Sequence, residues 1–233
     1  MTTPRLPVRE LPLPGESLTS YVRRSAVAMG YDRLRQLVAL LEVVDLPPHL
    51  DHLSDGTGIR ALANLLGQDS EVLTSMTVHR FAGQLMLREP TAPVASHCDS
   101  KTILRYFANA HARVCPECLP DTPAYERLIW AFRPLIGCPQ HGILWLDRCP
   151  GCQRRLSPHR LDIARCRCGF HFVNAPTTPV DAAIAELSRR LVSGLMSGQV
   201  FPLGLSSAAS FWWLERLAAA MRKTTAWLSV TRT

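Results

Sequence analysis

Seven cysteines and one histidine fall into four tight pairs: Cys115 with Cys118, Cys138 with His141, Cys149 with Cys152, and Cys166 with Cys168. Thiolate and imidazole donors at this spacing suit a tetrahedral zinc, because a tight turn brings both members of a pair to one ion and a distant pair completes the set. Eight donors make two full sets, so the sequence predicts two structural Zn²⁺ ions. Neither set leaves a position for water, which a catalytic zinc keeps open. A zinc deaminase needs H-x-E followed by P-C-x-x-C; the chain has no H-x-E, and Cys115 follows Val114. P-loop, H-E-x-x-H and Ser-His-Asp patterns are missing as well. The expectation is a protein that is not an enzyme.

Spacing leaves the pairing open. Adjacent pairs give one site from Cys115, Cys118, Cys138 and His141 and another from Cys149, Cys152, Cys166 and Cys168. A cross-braced arrangement would join Cys115/Cys118 to Cys149/Cys152, and the short gap from His141 to Cys149 allows either. The second set resembles a zinc ribbon, with Gly151 and Gly169 placed for its two turns. Between the pairs, the sequence predicts a helix over Tyr125–Phe132 and a short apolar strand over Gly142–Leu146. Cys98 is left over and reads as a buried free thiol; His111 reads as a packing or solvent histidine.

Arg154, Arg155, His159, Arg160, Arg165 and Arg167 crowd the second set. They suit phosphate contact by a ribbon fingertip, or a solvated face that neutralises the thiolates. The sequence-level candidates for nucleic-acid contact are Arg154, Arg155, Arg160, Arg165 and Arg167. The formal charge of +7 overstates the basic character. Seven thiolates and two divalent ions together remove three charges, leaving +4. Residues 1–90 carry 9 basic and 10 acidic side chains, residues 97–175 carry 11 and 6, and residues 176–233 carry 6 and 3. Nucleic acid should therefore meet the zinc region or the tail.

The 233 residues, 47% of them hydrophobic, are enough for a real core and one or two domains. The proline-rich N-terminus has no apolar run, which predicts no secretory signal. The uncharged window Leu191–Leu214 is broken by Gln199, Pro202, serines and glycines, which predicts no membrane span. Reduced thiols fit a cytoplasmic protein. The expected fold is mainly α with small zinc-bound β elements: an N-terminal helix-turn-helix domain over 1–90, a double zinc region over 91–175, and C-terminal helices over 176–233.

Local signals fill in this frame. Ser17 is placed to cap a helix with Leu18, Tyr21, Val22 and Met29 on its apolar side, and Gly30 ends it. Asp32 should cap a second helix carrying Leu34, Leu37, Val38, Leu41 and Val44, which Asp45-Leu46-Pro47-Pro48 closes. Ile59–Leu66, Gly67 and a short helix over Glu71–Thr77 form a helix-turn-helix pattern. That second helix has none of the Arg, Lys, Asn or Gln that favour base readout, so helical packing or protein docking suits it better. Glu89–Ser96 reads as a linker and Lys101–His111 as a short element. Ile184, Leu187, Leu191 and Leu195 stripe one tail helix over Asp181–Ser197, and a second should run from about Ser207 to Val230. Trp212, Trp213 and Trp227 cannot all face its core side, so at least one marks a candidate partner surface.

These residues resemble the TniQ/TnsD family of transposon target-selection proteins. The likeness lies in Pro14-Gly15-Glu16-Ser17-Leu18-Thr19-Ser20-Tyr21, in Leu62–Gly67 with Leu73–Phe81, and most strongly in Cys115-Pro116-Glu117-Cys118-Leu119, Trp130, Cys138-Pro139-Gln140-His141-Gly142, Leu144 and Cys149-Pro150-Gly151-Cys152. It implies a helix-turn-helix domain followed by two sequential zinc modules, a finger and then a ribbon. It also implies a non-enzymatic adaptor that links a target-site recogniser to the AAA+ regulator TnsC, or a TniB-like equivalent, on DNA. In some members the recogniser is a CRISPR effector with its guide RNA, and in others the protein reads an attachment site itself. The resemblance allows self-association as a head-to-tail dimer as well as a monomer. The chain lacks the large C-terminal DNA-reading region of the long members, which favours the short adaptor type over a sequence-specific attachment-site selector or transcription regulator.

Overall fold

The computed structural model describes residues 6–7, 10–41, 49–54, 56–81, 111–121, 123–133, 135–158 and 160–197. Cys98, His159, the 89–96 linker, most of the 101–111 element and the 207–230 helix with its tryptophans lie outside those residues. Within them the chain is mainly helical, and its extended segments pair only through isolated bridges.

Helix α1 (Leu18–Ala28) opens on Ser17, whose Oγ accepts the Ser20 N–H at 3.2 Å. That satisfies a donor which the first helical turn leaves without a partner. Leu18, Tyr21, Val22 and Ala26 bury its apolar side, and Gly30 turns the chain away at φ +76. The next helix is shorter than its pattern predicts. Helix α2 (Leu34–Val38) starts from extended Arg33 rather than Asp32, and Gln36 Oε1 accepts the Arg33 N–H at 3.0 Å. It then tightens into a 3₁₀ turn at Ala39–Leu41; Val44 and the Asp45–Pro48 stop lie outside the described residues.

Helices α3 (Thr57–Leu66) and α4 (Ser70–Ser75) flank Gly67, which takes the left-handed conformation at φ 64 that glycine adopts without strain. The predicted Glu71–Thr77 helix starts one residue earlier and stops at Ser75. Thr77 Oγ1 bonds back to Thr74 O at 2.8 Å, and the chain passes into a 3₁₀ turn at Val78–Phe81. Leu18, Tyr21, Leu37, Ile59, Leu62, Leu65 and Leu73 form one core among α1 to α4.

A second core gathers Val78, Phe81, Trp130, Phe132, Trp145 and Phe172 around buried cysteines. Helix α5 (Ala182–Ser197) adds Leu191 and Leu195 to it and begins at Asp181, whose Oδ1 accepts the Ala183 N–H at 2.9 Å. Only half of its predicted stripe is covered: Ile184 and Leu187 stay 41% and 44% exposed.

Two expected elements of this half come out differently. The Tyr125–Phe132 helix is only a 3₁₀ turn at Leu128–Ala131. The backbone there pairs with the N-terminal turn instead: Leu128 N–H donates to Gly15 O and Ser17 N–H to Glu126 O, both at 2.9 Å. The Gly142–Leu146 strand is a set of single bridges, Ile143 to Pro179, Leu144 to Gly137 and Leu146 to Val114. Three partners within four residues leave no continuous ladder. No helix among the described residues is long and apolar enough to cross a membrane.

Candidate metal centres

The fold brings the eight donors into two groups that follow the chain: Cys115, Cys118, Cys138 and His141, then Cys149, Cys152, Cys166 and Cys168. In each, the donor atoms all lie within 4.8 Å of one another. The adjacent arrangement is therefore the one the fold adopts, not the cross-braced one. In the first group His141 Nδ1 lies 3.4, 3.2 and 3.6 Å from the sulfurs of Cys115, Cys118 and Cys138, and Cys118 Sγ lies 3.7 Å from Cys138 Sγ. In the second, Cys149 to Cys168 is 3.5 Å and Cys152 to Cys166 is 3.8 Å. A tetrahedral ion with sulfur at about 2.3 Å and nitrogen at about 2.0 Å has edges of about 3.8 Å between sulfurs and about 3.5 Å from sulfur to nitrogen. Both groups fit that figure. A disulfide would need about 2.05 Å, and all seven described cysteines are free.

Short turns hold the donors in place. Cys118 N–H donates to Cys115 O at 3.1 Å, and Gly142 N–H to Cys138 O at 2.8 Å, with Gly142 at φ +65. In the second group Gln153 N–H donates to Cys149 O at 2.8 Å, and Gln153 takes the left-handed conformation at φ 59. Gly169, at φ +93, closes the Cys166 turn. Gly151 serves by size rather than by conformation, since a Cβ there would sit 3.1 Å from that of Phe170.

The clustered thiols share charge unevenly. Hydrogen bonds from Cys115 and Cys118 pull the Cys138 thiol down to about 2. Cys118 is driven far up by its contacts with Cys115 and Cys138 and by burial. Cys115 rises to about 11: its hydrogen bond with Cys118 works the other way, but that with Cys138 and burial outweigh it. In the second group burial lifts Cys149 to about 12, while the Phe170 backbone N–H draws Cys168 down to about 7. Metal binds the deprotonated thiolate, so a cation taken up at the centre of either group would release the protons that the raised thiols hold.

The TniQ family model matches residues 7–144, which take in α1 to α4 and every donor of the first group. The chain belongs to the TniQ family. That family is non-catalytic and associated with transposition. No curated protein matches the chain. The second group and α5 lie beyond the residues matched to TniQ.

Two residues that support the first centre carry no motif signal. Half-buried Arg113 donates to three carbonyls, Trp130 O and Leu135 O at 2.8 Å and Phe132 O at 2.7 Å, and its guanidinium lies 5.6 Å from the Trp145 ring. It fixes the segment that runs into Cys138. Gly137 stands where two backbones meet: a Cβ there would lie 2.4 Å from Ile143 O and 2.6 Å from Val180 Cγ2. Gly137→Ala is expected to cost about 2 kcal/mol or more, visible as a lower denaturant midpoint at an unchanged slope.

Arg154, Arg155, Arg165 and Arg167 are exposed around the second centre. Arg160 is not with them. It is 4% exposed, pairs with Glu126, and lies 5.7 Å from the Phe172 ring. The structure thus removes it from the candidate phosphate contacts, because a buried guanidinium already bound to a carboxylate cannot reach solvent. Exposed Arg148 and His171, which the motif reading missed, bridge to Arg155 and Arg165 and extend the basic face.

Proposed function

We propose that this TniQ-family chain is a non-enzymatic adaptor for transposition targeting. It links a target-site recogniser to the AAA+ regulator TnsC, or a TniB-like equivalent, on DNA. The family match over residues 7–144 carries this reading. In it Cys115, Cys118, Cys138 and His141 hold one Zn²⁺, and Cys149, Cys152, Cys166 and Cys168 hold another. Four protein donors at tetrahedral spacing fill each ion, which supports a structural role. A finger, a ribbon and the 1–90, 91–175 and 176–233 division belong to the same reading, as does a cytoplasmic site of action. The recogniser is a CRISPR effector with its guide RNA or another sequence-reading protein, and self-association is compatible with it.

The α3–α4 hairpin suits protein docking better than base reading. The Thr74 and Ser75 hydroxyls bond to Ser70 O and Val72 O of their own helix, at 2.8 and 2.7 Å, and α4 carries no Arg, Lys, Asn or Gln. Arg154, Arg155, Arg165 and Arg167 are the proposed phosphate contacts, helped by Arg148. Asp147 lies 3.8 Å from Arg155 and Asp162 lies 3.6 Å from Arg165. With those carboxylates and a doubly negative tetrathiolate centre, the face nets only about +1. DNA binding by the chain alone should therefore be weak. Its log affinity should fall with log salt at a slope of about −4, and Arg154→Ala with Arg155→Ala should make that slope shallower by about 2. A slope unchanged in the double variant would remove these arginines from the interface.

The adaptor reading is tested by sedimenting the purified chain with its cognate AAA+ regulator, DNA and nucleotide. Co-sedimentation that depends on the regulator is expected, and none would overturn the reading. A nanomolar, sequence-dependent footprint by the chain alone would identify a direct attachment-site selector instead.

A further inference from the structure

A single, largely enclosed carboxylate ties three distant parts of this chain together. Glu126 lies between Cys118 and Cys138, Arg160 between Cys152 and Cys166, and Arg23 on α1. Arg23 Nη1 lies 3.0 Å from Glu126 Oε2, and Arg160 Nη2 bonds Glu126 Oε1. Arg23 Nη2 also donates to Pro158 O at 2.7 Å and Arg160 Nη1 to Ser157 O at 2.9 Å. Arg23 is fully enclosed. Burial pushes the Glu126 carboxyl up, but Arg160 and then Arg23 outweigh it and hold it below the usual range. The backbone joins the same link: Glu126 N–H donates to Ser20 Oγ at 2.9 Å, and Ser20 Oγ donates to Glu16 Oε1 at 2.8 Å.

The three charges are not equivalent. Two guanidiniums share one carboxylate, and Arg23 Nε and Arg160 Nε have no hydrogen-bond partner among the described residues. Losing Arg160 leaves a neutral Arg23–Glu126 pair. Losing Glu126 leaves two cations facing each other out of water, which is the costly way to break a buried ion pair. The segment carrying Glu126 holds little regular structure beyond the 3₁₀ turn at Leu128–Ala131; the Cys118 and Cys138 donors anchor its two ends, and Leu128 N–H to Gly15 O and Ser17 N–H to Glu126 O seat its middle against the start of α1.

We propose that Glu126 is a latch through which the first metal centre holds α1 in place, with Arg160 and the second centre as a secondary brace. Emptying the first centre releases Glu126 and strands Arg23, so α1 loosens. Emptying the second leaves the Arg23–Glu126 pair, and α1 stays docked. The state of the first centre is thereby communicated to the N-terminal helices, which lie on the other side of the link. This rests on the metal-binding reading of the two clusters.

The test is hydrogen–deuterium exchange of α1 peptides in the full chain, with metal content measured on the same samples. Glu126→Gln should keep both metals yet raise α1 exchange about tenfold or more, whereas Arg160→Met should raise it no more than about threefold. In the wild type, chelation that empties the first centre should also expose α1. Glu126→Gln with both metals bound and α1 protected as in wild type would overturn the latch, as would equal effects from the two variants. If Glu126→Gln fails to fold, the wild-type chelation series decides: protection of α1 that persists after the first centre is empty overturns the proposal. A chain that binds no metal at all would instead refute the metal reading, so the two failures are distinguishable.

Discussion

Removing metal with an excess of a strong chelator is expected to unfold the second core. Each tetrahedral centre is expected to contribute on the order of 10 kcal/mol to folding, against a typical net stability of about 5–15 kcal/mol for a whole domain. Little else orders the polypeptide there. Between Val114 and Pro179 the described elements are short 3₁₀ turns and isolated bridges, while Cys115, Cys118, Cys138 and Cys149 are themselves core residues packed with Trp130, Trp145 and Phe172. Near-UV circular dichroism reads the loss, because Trp130 and Trp145, two of the chain's five tryptophans, sit in that core with their rings 6.0 Å apart. Chelation should remove the contribution of these two tryptophans, isolated as the difference from a Trp145→Phe variant, and restored metal should return it. The two centres should differ in severity. Cys138→Ser removes a buried donor from the first, whereas Cys168→Ser removes an exposed one from the second, so the first substitution should lower the melting temperature more. A Trp130 and Trp145 contribution that survives complete metal removal would contradict this.

Arg113→Met is expected to destabilise the chain by about 3–5 kcal/mol, the largest effect of any single substitution away from the metal donors and the Glu126 link. A hydrogen bond from a charged donor contributes about 1.5–3 kcal/mol, and Arg113 makes three, to the carbonyls of Trp130, Phe132 and Leu135. Methionine keeps much of the packing over Trp145 and loses all three. Burial draws the guanidinium down to about 10, with Asp147 opposing that shift, so the group stays charged at neutral pH and the three carbonyls accept from a cation. Equilibrium urea unfolding of the metal-loaded variant measures the cost. A change below about 1 kcal/mol would show that the carbonyls find other partners.

The metal donors were legible because their chemistry is local. Cys115 and Cys118, or Cys149 and Cys152, announce a ligand pair within four residues, and no distant contact is needed to recognise it. Ser17 as a cap and Gly67 as a turn are legible for the same reason. What the sequence hid depends on partners far along the chain. Arg160 reads as one more arginine in a basic run, and only Glu126, 34 residues away, turns it inward. The Tyr125–Phe132 segment has a helical pattern, yet its backbone is drawn to Gly15 and Ser17, more than a hundred residues earlier. Gly137 gives no signal either, since its need for a bare Cα comes from Ile143 and Val180 closing over it. The Ile184–Leu195 stripe marks a helix correctly but not how much of it is covered, because only Leu191 and Leu195 reach the core.

X-ray absorption at the zinc edge, on protein purified without added metal, tests the two closed centres most directly. Two zincs per chain are predicted, one with three sulfurs and one imidazole nitrogen and the other with four sulfurs. The average shell is then about 3.5 sulfurs at about 2.3 Å and about half a nitrogen at about 2.0 Å per zinc. A sub-stoichiometric metal content, or a shell containing a water oxygen in place of a protein donor, would contradict two closed structural centres.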